Sequence, residues 1–320
     1  MTQALALPTK RDSRSPFKAL DISRATRKDY EARLPRFLQF VAQSGGLSIN
    51  TFLDYKQYLE SCEDLGVASK NKYLVVAKVY LREMHRRGLI PVDITTNVKT
   101  FKQSKKHKRA GLTAHEISKL CKWMDEDLLL KGERKYCRIR ALIALLIFQG
   151  LRTIEICRLD WNDFDEQNAQ LAIRGKGKDD KEFVPLHPKT AEALSLYQYS
   201  FFEKRQYESK FKTDTAALMR LLRSAMFVSY SNSSQHKRLS PRGLRSIIKP
   251  ILTYLGIKKT VHGFRHFYTT TLIQGYDGNL LDVARYTRHK SLEMLQVYDD
   301  SIKEKADLPR YEQAFSKIAF

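Results

Sequence analysis

The chain lacks the features that stabilise small secreted proteins or anchor membrane proteins. Its 320 residues include only four cysteines, Cys62, Cys121, Cys137 and Cys157. No two of them form a C-x-x-C pair, so we expect neither a zinc site nor a disulfide framework, but reduced thiols in a cytoplasmic protein. The longest apolar run, residues 141–148, is far too short to span a bilayer. The first residues also carry no sustained apolar stretch, so no secretory signal is expected.

Acidic residues are scarce relative to basic ones. The chain has 35 Asp and Glu against 57 Lys and Arg, which gives a formal net charge of +22. Such an excess favours a polyanionic partner, because clustered cations neutralise phosphates and release counterions. An anionic membrane surface is the alternative, yet no basic amphipathic stretch is typical of a membrane anchor. The charge therefore favours nucleic acid and predicts no membrane partner.

Helical patterns dominate the first hundred residues. Between Asp21 and Arg87, apolar residues recur at helical spacing in three stretches. Ser23 and Ser48 are expected to cap the first two helices, because a serine hydroxyl can accept a hydrogen bond from a free backbone N–H. These patterns predict a small all-α unit over residues 16–101.

The chain is expected to divide near residue 109. Residues 1–15 are polar and basic and are predicted to form a flexible tail. Residues 102–110 form a basic run without apolar periodicity, which predicts a linker that also follows DNA phosphates. The second domain, residues 111–320, begins with a capping box at Thr113 and Glu116.

The second domain mixes helices with a few short strands. A buried helix is predicted over residues 136–149, and helices return after residue 188, with a polar loop at 229–237. Alternating patterns predict three strands, the last two joined as a hairpin by a turn at 175–180. The predicted strands cover residues 161–164, 169–174 and 182–186.

A set of cationic and nucleophilic side chains in this domain suits the cleavage of a phosphodiester. That reaction needs a nucleophile, a proton for the leaving oxygen and cations for the non-bridging oxygens. Arg152 and Arg265 suit the last role, because a guanidinium donates two parallel hydrogen bonds to phosphate. His262 precedes Arg265 by three residues, so both can lie on one helix face. A hairpin lysine can act as the acid, and Tyr298 can attack once cations or a base activate it.

The order and spacing of these residues resemble the tyrosine recombinase (phage integrase) family, close to its Xer-type and two-domain integrase branch. Lys176 follows Arg152 by 24 residues on the hairpin turn, and Glu155 is an acidic residue close to Arg152. His262 and Arg265 form an H-x-x-R motif. Six residues match the family's catalytic positions in order: Arg152, Lys176, His262, Arg265, His289 and Tyr298.

This resemblance implies a fold and a mechanism. The fold would be mainly α with a small antiparallel β-sheet, in which an all-α, SAM-like core-binding domain clamps DNA opposite an α+β catalytic domain. Tyr298 would form a 3′-phosphotyrosyl bond and release a 5′-hydroxyl that receives its proton from Lys176. The two arginines would stabilise the transition state, His262 would assist proton transfer, and His289 would bond the phosphate. No cofactor or metal is implied.

The resemblance also implies partners. They would be double-stranded DNA with a specific recombination site and three further copies of the chain in a tetrameric synapse, in the cytoplasm and on the nucleoid. An accessory DNA-bending or directionality protein is left open, as is the choice between mobile-element integration and resolution of dimeric replicons. Basic residues outside the catalytic set are expected to contact DNA: Arg24, Arg27, Lys70, Lys72, Lys105, Lys106, Lys178 and Arg242.

Some alternatives stay open at the level of sequence. Lys178 and Lys181 share the hairpin with Lys176, so each is an alternative general acid. Arg288 stands where the family usually has glycine, and either alters that turn or adds a DNA contact. Glu155 either orients the pocket or forms an ordinary salt bridge. A competing function is a non-catalytic, architectural DNA-binding protein on the same scaffold.

The segment after Tyr298 carries apolar residues near helical spacing, and Pro309 is expected to interrupt that helix. From periodicity alone, this segment would pack on its own domain. The resemblance implies instead that it is an exchange helix that docks into a neighbouring protomer.

Overall fold

The computed structural model describes residues 16–103, 111–128, 134–175, 180–208, 223–231, 237–289 and 291–315. The predicted tail at 1–15 and most of the linker at 102–110 lie outside these residues. Contacts within the chain divide it into two compact units, Met1–Lys105 and Lys106–Phe320. Mostly helical structure with one small antiparallel sheet confirms the predicted fold class.

The described residues of the first unit form three helices: α1 (Arg24–Gln43), α2 (Thr51–Ser61) and α3 (Val67–Arg86). Ser23 caps α1, as predicted, by accepting a hydrogen bond from the Thr26 N–H. The prediction for Ser48 is wrong, because Asn50 occupies the cap position of α2. The backbone N–H of Ser48 donates to the Thr51 hydroxyl instead, so the turn extends and the helix begins later.

An aromatic core holds these three helices together. Phe37 of α1 meets Tyr55 of α2 edge-on, with ring centroids 4.9 Å apart, and the Tyr80 ring of α3 lies 6.0 Å from Phe37. All three rings are buried, and so is Phe17, which precedes the first helix. Burial of large aromatic side chains is a major source of stability for a unit of this size.

The second unit opens with α4 (Ala114–Trp123), whose capping box at Thr113 and Glu116 has both hydrogen bonds in place. A π-helical turn, Met124–Leu128, follows α4. The apolar helix α5 (Arg134–Phe148) is buried in the core, as its sequence predicted, and it packs along α7 (Pro188–Glu208).

The sheet has the order β1 (Phe164–Asp165), β2 (Gln170–Arg174) and β3 (Lys181–Pro185), with antiparallel neighbours. The hairpin turn between β2 and β3 falls largely on residues 176–179, outside the described part of the chain. A strand over 161–164 was a wrong prediction. Residues Trp161–Asp163 form a 3₁₀ turn, in which the Asp163 carboxylate accepts from the Asp160 N–H, and the strand begins only at Phe164.

The remaining helices bring the H-x-x-R motif and the tyrosine onto neighbouring elements. They are α6 (Thr153–Cys157), α8 (Pro241–Tyr254), α9 (Val261–Gly275), α10 (Leu280–Thr287) and α11 (Leu292–Phe315). Helix α9 packs against α5, α10 and α11. Helix α11 continues through Pro309, so the expected interruption there is wrong. A proline removes one backbone hydrogen bond, and the rest of this helix tolerates that loss.

The four cysteines are free thiols, and Cys137 and Cys157 are buried. Within the described segments, no helix has both the length and the apolar character needed to cross a membrane.

Candidate active site

A left-handed turn after α5 positions Arg152. Gly150 has φ +54°, and a Cβ added there would lie 2.2 Å from a ring carbon of Tyr268, so both backbone conformation and space require glycine. Arg152 then caps α6, and its side chain is one-third exposed. The turn therefore presents this arginine at the surface immediately after the buried helix.

Glu155 holds Arg152 in place through hydrogen bonds. One carboxylate oxygen accepts from the Arg152 N–H at 2.8 Å, and the other accepts from the guanidinium at 2.9 Å. Glu155 itself is fully buried. Burial raises the pKa of Glu155, but the positive charges of Arg288 and Arg152 lower it by more. The pKa therefore lies below its usual value, and the carboxylate is charged. The carboxylate thus orients Arg152 through both its backbone and its side chain.

Arg265 ties three segments together from within α9. Its guanidinium donates to the Gly150 carbonyl at 2.7 Å and to the carbonyl of Thr287, which ends α10. The same group lies 3.5 Å from the His289 ring nitrogen. Burial and then the neighbouring Arg152 lower the pKa of Arg265 to about 10, so it remains a cation near neutral pH.

A row of rings leads from His262 to His289. The exposed His262 meets His266 edge-on with centroids 4.7 Å apart, and the buried His266 lies 5.1 Å from the Tyr298 ring. The Tyr298 and His289 rings are 6.3 Å apart. The His289 Nδ1 pairs at 2.8 Å with the Thr287 hydroxyl, which restricts the orientation of the imidazole. His262, Tyr298 and His289 are therefore connected through ring contacts, and Arg265 lies beside His289.

Tyr298 lies on α11 and is 5% exposed, packed with Ile273, Val283 and Leu295. Burial raises the pKa of Tyr298, while the positive charges of Arg265 and Arg152 oppose that rise. The phenol is therefore neutral near pH 7, and it must lose its proton as it attacks. The nearby guanidiniums lower the cost of that loss, since they favour the phenolate.

His266 was missed at the level of sequence. It contacts both His262 and Tyr298, although it does not belong to the H-x-x-R motif. The signal was present, because a residue four positions after His262 in a helix lies on the same face.

The hairpin lysines separate into two groups. Lys176 and Lys178 lie outside the described residues. Lys181 is described, and its amine is held by the carboxylate of Asp163, which is 3% exposed. A lysine bonded in this way is poorly placed to protonate a leaving group. Strand β2 ends next to the end of α6, because the Arg158 guanidinium donates to the Gly175 carbonyl at 3.0 Å.

The residues expected to contact DNA are only partly described. Lys105, Lys106 and Lys178 lie outside the described part of the chain. The other five differ in environment, since some side chains extend into solvent and others lie partly against the protein. Arg24, Lys72 and Arg242 are exposed, whereas Arg27 and Lys70 are half-buried, and the Lys70 amine donates to the Glu60 carbonyl at 2.7 Å.

The Arg288 side chain does not extend into solvent, and its backbone keeps the left-handed conformation that glycine favours. It adopts φ 54° and ψ 40°, and its side chain, 9% exposed, donates to Glu155 at 3.0 Å. The expected change of the turn is therefore absent, and the Arg288 side chain is directed to Glu155. Among the described residues, no group of three or more His, Cys, Asp or Glu is arranged to hold a metal ion.

Comparison with known proteins gives one consistent match. The model of the phage integrase family matches residues 110–305. The tyrosine recombinase XerC of Myxococcus xanthus is 26% identical over 281 residues, which cover 85% of this chain and 86% of the relative. The XerC of Thermodesulfovibrio yellowstonii is 24% identical over 292 residues, covering 83% and 90% of the two chains.

Solved structures match in fold. The XerH site-specific recombinase, bound to its palindromic difH substrate in a post-cleavage complex, has a TM-score of 0.65 at 18% identity, covering 91% of this chain and 80% of that chain. The Tn1549 transposon integrase in complex with transposon right end DNA has a TM-score of 0.61 at 15% identity, covering 90% and 95%. A lambda integrase dimer bound to a core site has a TM-score of 0.57 at 15% identity, covering 88% and 90%.

Proposed function

Because the chain belongs to the phage integrase family, whose model spans more than half of it, we propose a specific catalytic role for each residue of its site. The chain is a tyrosine-type DNA strand transferase, a site-specific recombinase that cleaves and rejoins strands. The observation that carries the assignment is the position of His289. Its ring nitrogen lies 3.5 Å from the Arg265 guanidinium, and its ring centroid lies 6.3 Å from that of Tyr298.

The proposed reaction begins when the Tyr298 oxygen attacks the scissile phosphorus. A bond forms between that oxygen and phosphorus, the bond to the 5′-oxygen of the next nucleotide breaks, and the phenolic proton passes to His262 or solvent. Lys176 supplies the proton that the leaving 5′-oxygen needs. The products are a 3′-phosphotyrosyl ester and a free 5′-hydroxyl, and attack by a 5′-hydroxyl of the partner strand reverses the chemistry. The ester conserves the bond energy, so rejoining needs no nucleotide cofactor.

Arg152 and Arg265 are proposed to hold the non-bridging oxygens of the phosphate. Arg152 is supported by its one-third exposure above a charged carboxylate. Arg265 is supported by its contacts with the Gly150 and Thr287 carbonyls, which fix its guanidinium before DNA arrives. Preorganised donors of this kind stabilise a transition state without reorganising during the reaction. His289 is proposed to bond the same phosphate.

Lys176 is the proposed general acid. The bond between Arg158 and the Gly175 carbonyl supports it, because the turn then starts next to the helix that follows Arg152. Lys181 is the weaker candidate, since Asp163 holds its amine.

The two units are proposed to have different functions, DNA binding and catalysis. Residues 16–101 would form the core-binding domain, residues 102–110 a linker along DNA phosphates, and residues 111–320 the catalytic domain, ending in an exchange helix. Four copies would assemble on two duplexes, in the cytoplasm and on the nucleoid, and the segment after Tyr298, residues 301–320, of each copy would dock into its neighbour. A closed ring of four suits such head-to-tail contacts.

The chemistry is tested by the ends that cleavage leaves. A duplex that carries the recombination site is incubated with the protein, and polynucleotide kinase then labels free 5′-hydroxyls. We expect a labelled strand beginning at the cleavage position and a 3′ end blocked by protein. A protein that binds the duplex but yields no new 5′-hydroxyl would be the non-catalytic, architectural alternative.

A further inference from the structure

Arg288 occupies a backbone position that favours glycine. It follows α10 in the left-handed region, and its N–H donates to the Ala284 carbonyl at 2.8 Å, which closes the helix. A residue with a Cβ is strained in this conformation, whereas glycine is not. Nothing in the backbone calls for an arginine here, so the reason for it must lie in the side chain.

That side chain turns into the protein rather than toward solvent. Only 9% of it is exposed, and its guanidinium donates to Glu155 at 3.0 Å, across 133 positions of sequence. Arg285, on the same helix, shows the contrasting arrangement. Its side chain is 81% exposed, and its carboxylate partner, Asp282, lies 3.6 Å away. Arg288 is therefore part of a buried network, whereas Arg285 is a surface cation.

Glu155 connects Arg288 to Arg152. Its Oε2 accepts from the Arg152 N–H and from the Arg288 guanidinium, and its Oε1 accepts from the Arg152 guanidinium. A carboxylate held by donors on two sides has little freedom to rotate, so it fixes the arginine that it bonds. Charged hydrogen bonds in a buried network are strong because little water competes for them.

We propose that Arg288 is a positioning residue for strand cleavage, which holds the Arg152 guanidinium in place by binding Glu155. This inference rests on the proposed role of Arg152 at the phosphate. Arg288 itself touches neither the phosphate nor the nucleophile in this account. The predicted consequence of its loss is slower chemistry with unchanged affinity for DNA.

The network also predicts a change in the pH profile. Among the described residues, Arg288 and Arg152 are the charged groups that shift the pKa of Glu155, and the Glu155 carboxylate in turn acts on the pKa of Arg265. Burial raises this pKa, and Arg288 is the largest influence that lowers it. Without Arg288 the pKa rises, so Glu155 takes up a proton at a higher pH and loosens its hold on Arg152. The acid limb of the cleavage profile should therefore move to higher pH.

The experiment compares Arg288→Gly with Arg285→Ala in single-turnover cleavage of a nicked duplex, from mildly acidic to mildly alkaline pH. Arg288→Gly removes the side chain while keeping a residue suited to the turn. We expect its cleavage rate to fall on the order of 10- to 100-fold, since misplacing a catalytic group by about 1 Å can cost that much. Affinity for the duplex should hold, because it is spread over many phosphates. Arg285→Ala should match the wild type in cleavage rate and in affinity for the duplex.

A double variant separates positioning from folding. Arg288→Gly combined with Glu155→Gln removes both buried charges, and it should cleave no more slowly than Glu155→Gln alone, with no shift of the acid limb. This comparison stands even if Arg288→Gly alone fails to fold in a thermal melt. A further tenfold loss in the double variant would overturn the inference, as would wild-type rates and pH profile in Arg288→Gly. An inactive wild type would instead contradict the proposed function.

Discussion

The guanidinium of Arg265 donates to the carbonyl oxygen of Gly150 at 2.7 Å, across 115 positions of sequence. Gly150 lies two residues before Arg152, so this one bond links the turn that carries the first arginine to the helix that carries the second. The two proposed phosphate ligands are thereby held relative to each other before DNA binds. Any change that moves this turn should disturb both.

Gly150→Ala should destabilise the chain and slow cleavage. A left-handed backbone costs a residue with a Cβ about 1–2 kcal/mol. The clash with the Tyr268 ring adds roughly 1–3 kcal/mol of overpacking. Gly256→Ala is the matched control, because Gly256 has φ +69° and no atom within 4 Å of the added Cβ. Chemical denaturation measures the free energy of unfolding of both variants. Equal losses in Gly150→Ala and Gly256→Ala would refute the role of the Tyr268 contact.

Arg152→Lys and Arg265→Lys should both lose cleavage, because a lysine keeps the charge but lacks the bidentate fork. Losing one transition-state donor typically costs on the order of 10²–10³ in rate. Arg265→Lys should also lower stability by about 1–3 kcal/mol, since it removes buried hydrogen bonds to two carbonyls. Arg152→Lys should change stability less, because its side chain is one-third exposed.

Single-turnover rates, DNA affinity and thermal melts separate these effects. Arg285→Lys, a change at an exposed site on the same unit, is the control for the lysine substitution itself. Near-normal cleavage by both Arg152→Lys and Arg265→Lys would argue against their proposed roles.

The hairpin lysines can be distinguished with a substrate that carries a 5′-bridging sulfur. A thiolate leaves without a proton, so this substrate should restore cleavage to Lys176→Ala if Lys176 is the general acid. Lys181→Ala should instead lose about 1–3 kcal/mol of stability, because the buried Asp163 carboxylate loses a partner. Rescue of Lys178→Ala or Lys181→Ala by sulfur would move the assignment along the turn.

The end of α11 tests the proposed assembly. A chain truncated after Lys303 retains Tyr298 and the Lys303–Asp299 ion pair at 2.7 Å. We expect it to bind a single site nearly normally but to lose ordered synapsis of two sites, as seen by sedimentation, and to lose recombination. If the truncated chain still forms tetramers and recombines two sites at the normal rate, the exchange-helix proposal is wrong.

Local patterns were enough to predict much of the fold and the order of the site. The capping box at Thr113 and the buried helix α5 follow from neighbouring residues alone, because their stabilising contacts are close in sequence. The match to the phage integrase family confirms the resemblance that the motif spacing indicated.

Other features depend on contacts that apolar periodicity does not encode. The strand expected at Trp161 is a 3₁₀ turn, because the Asp163 carboxylate accepts from a backbone N–H and the Trp161 ring packs 5.1 Å from Tyr197, far along the chain. Whether Arg288 faces DNA or the interior depends on Glu155, 133 positions away. Such choices are made by tertiary structure.

Tyr298 is the residue proposed to form the covalent bond to DNA. A nicked duplex that loses its short downstream fragment after cleavage traps the intermediate, because the 5′-hydroxyl needed for rejoining diffuses away. Denaturing electrophoresis then reveals the adduct, and mass spectrometry of the digested protein identifies the modified peptide. Tyr298→Phe removes only the hydroxyl, and Tyr286→Phe is the matched control on the neighbouring helix α10.

We predict that the wild type and Tyr286→Phe form an SDS-resistant adduct, with the nucleotide attached to the peptide that contains Tyr298. Tyr298→Phe should bind the same duplex and form none. An adduct that persists in Tyr298→Phe, or a nucleotide attached to another residue, would contradict the account.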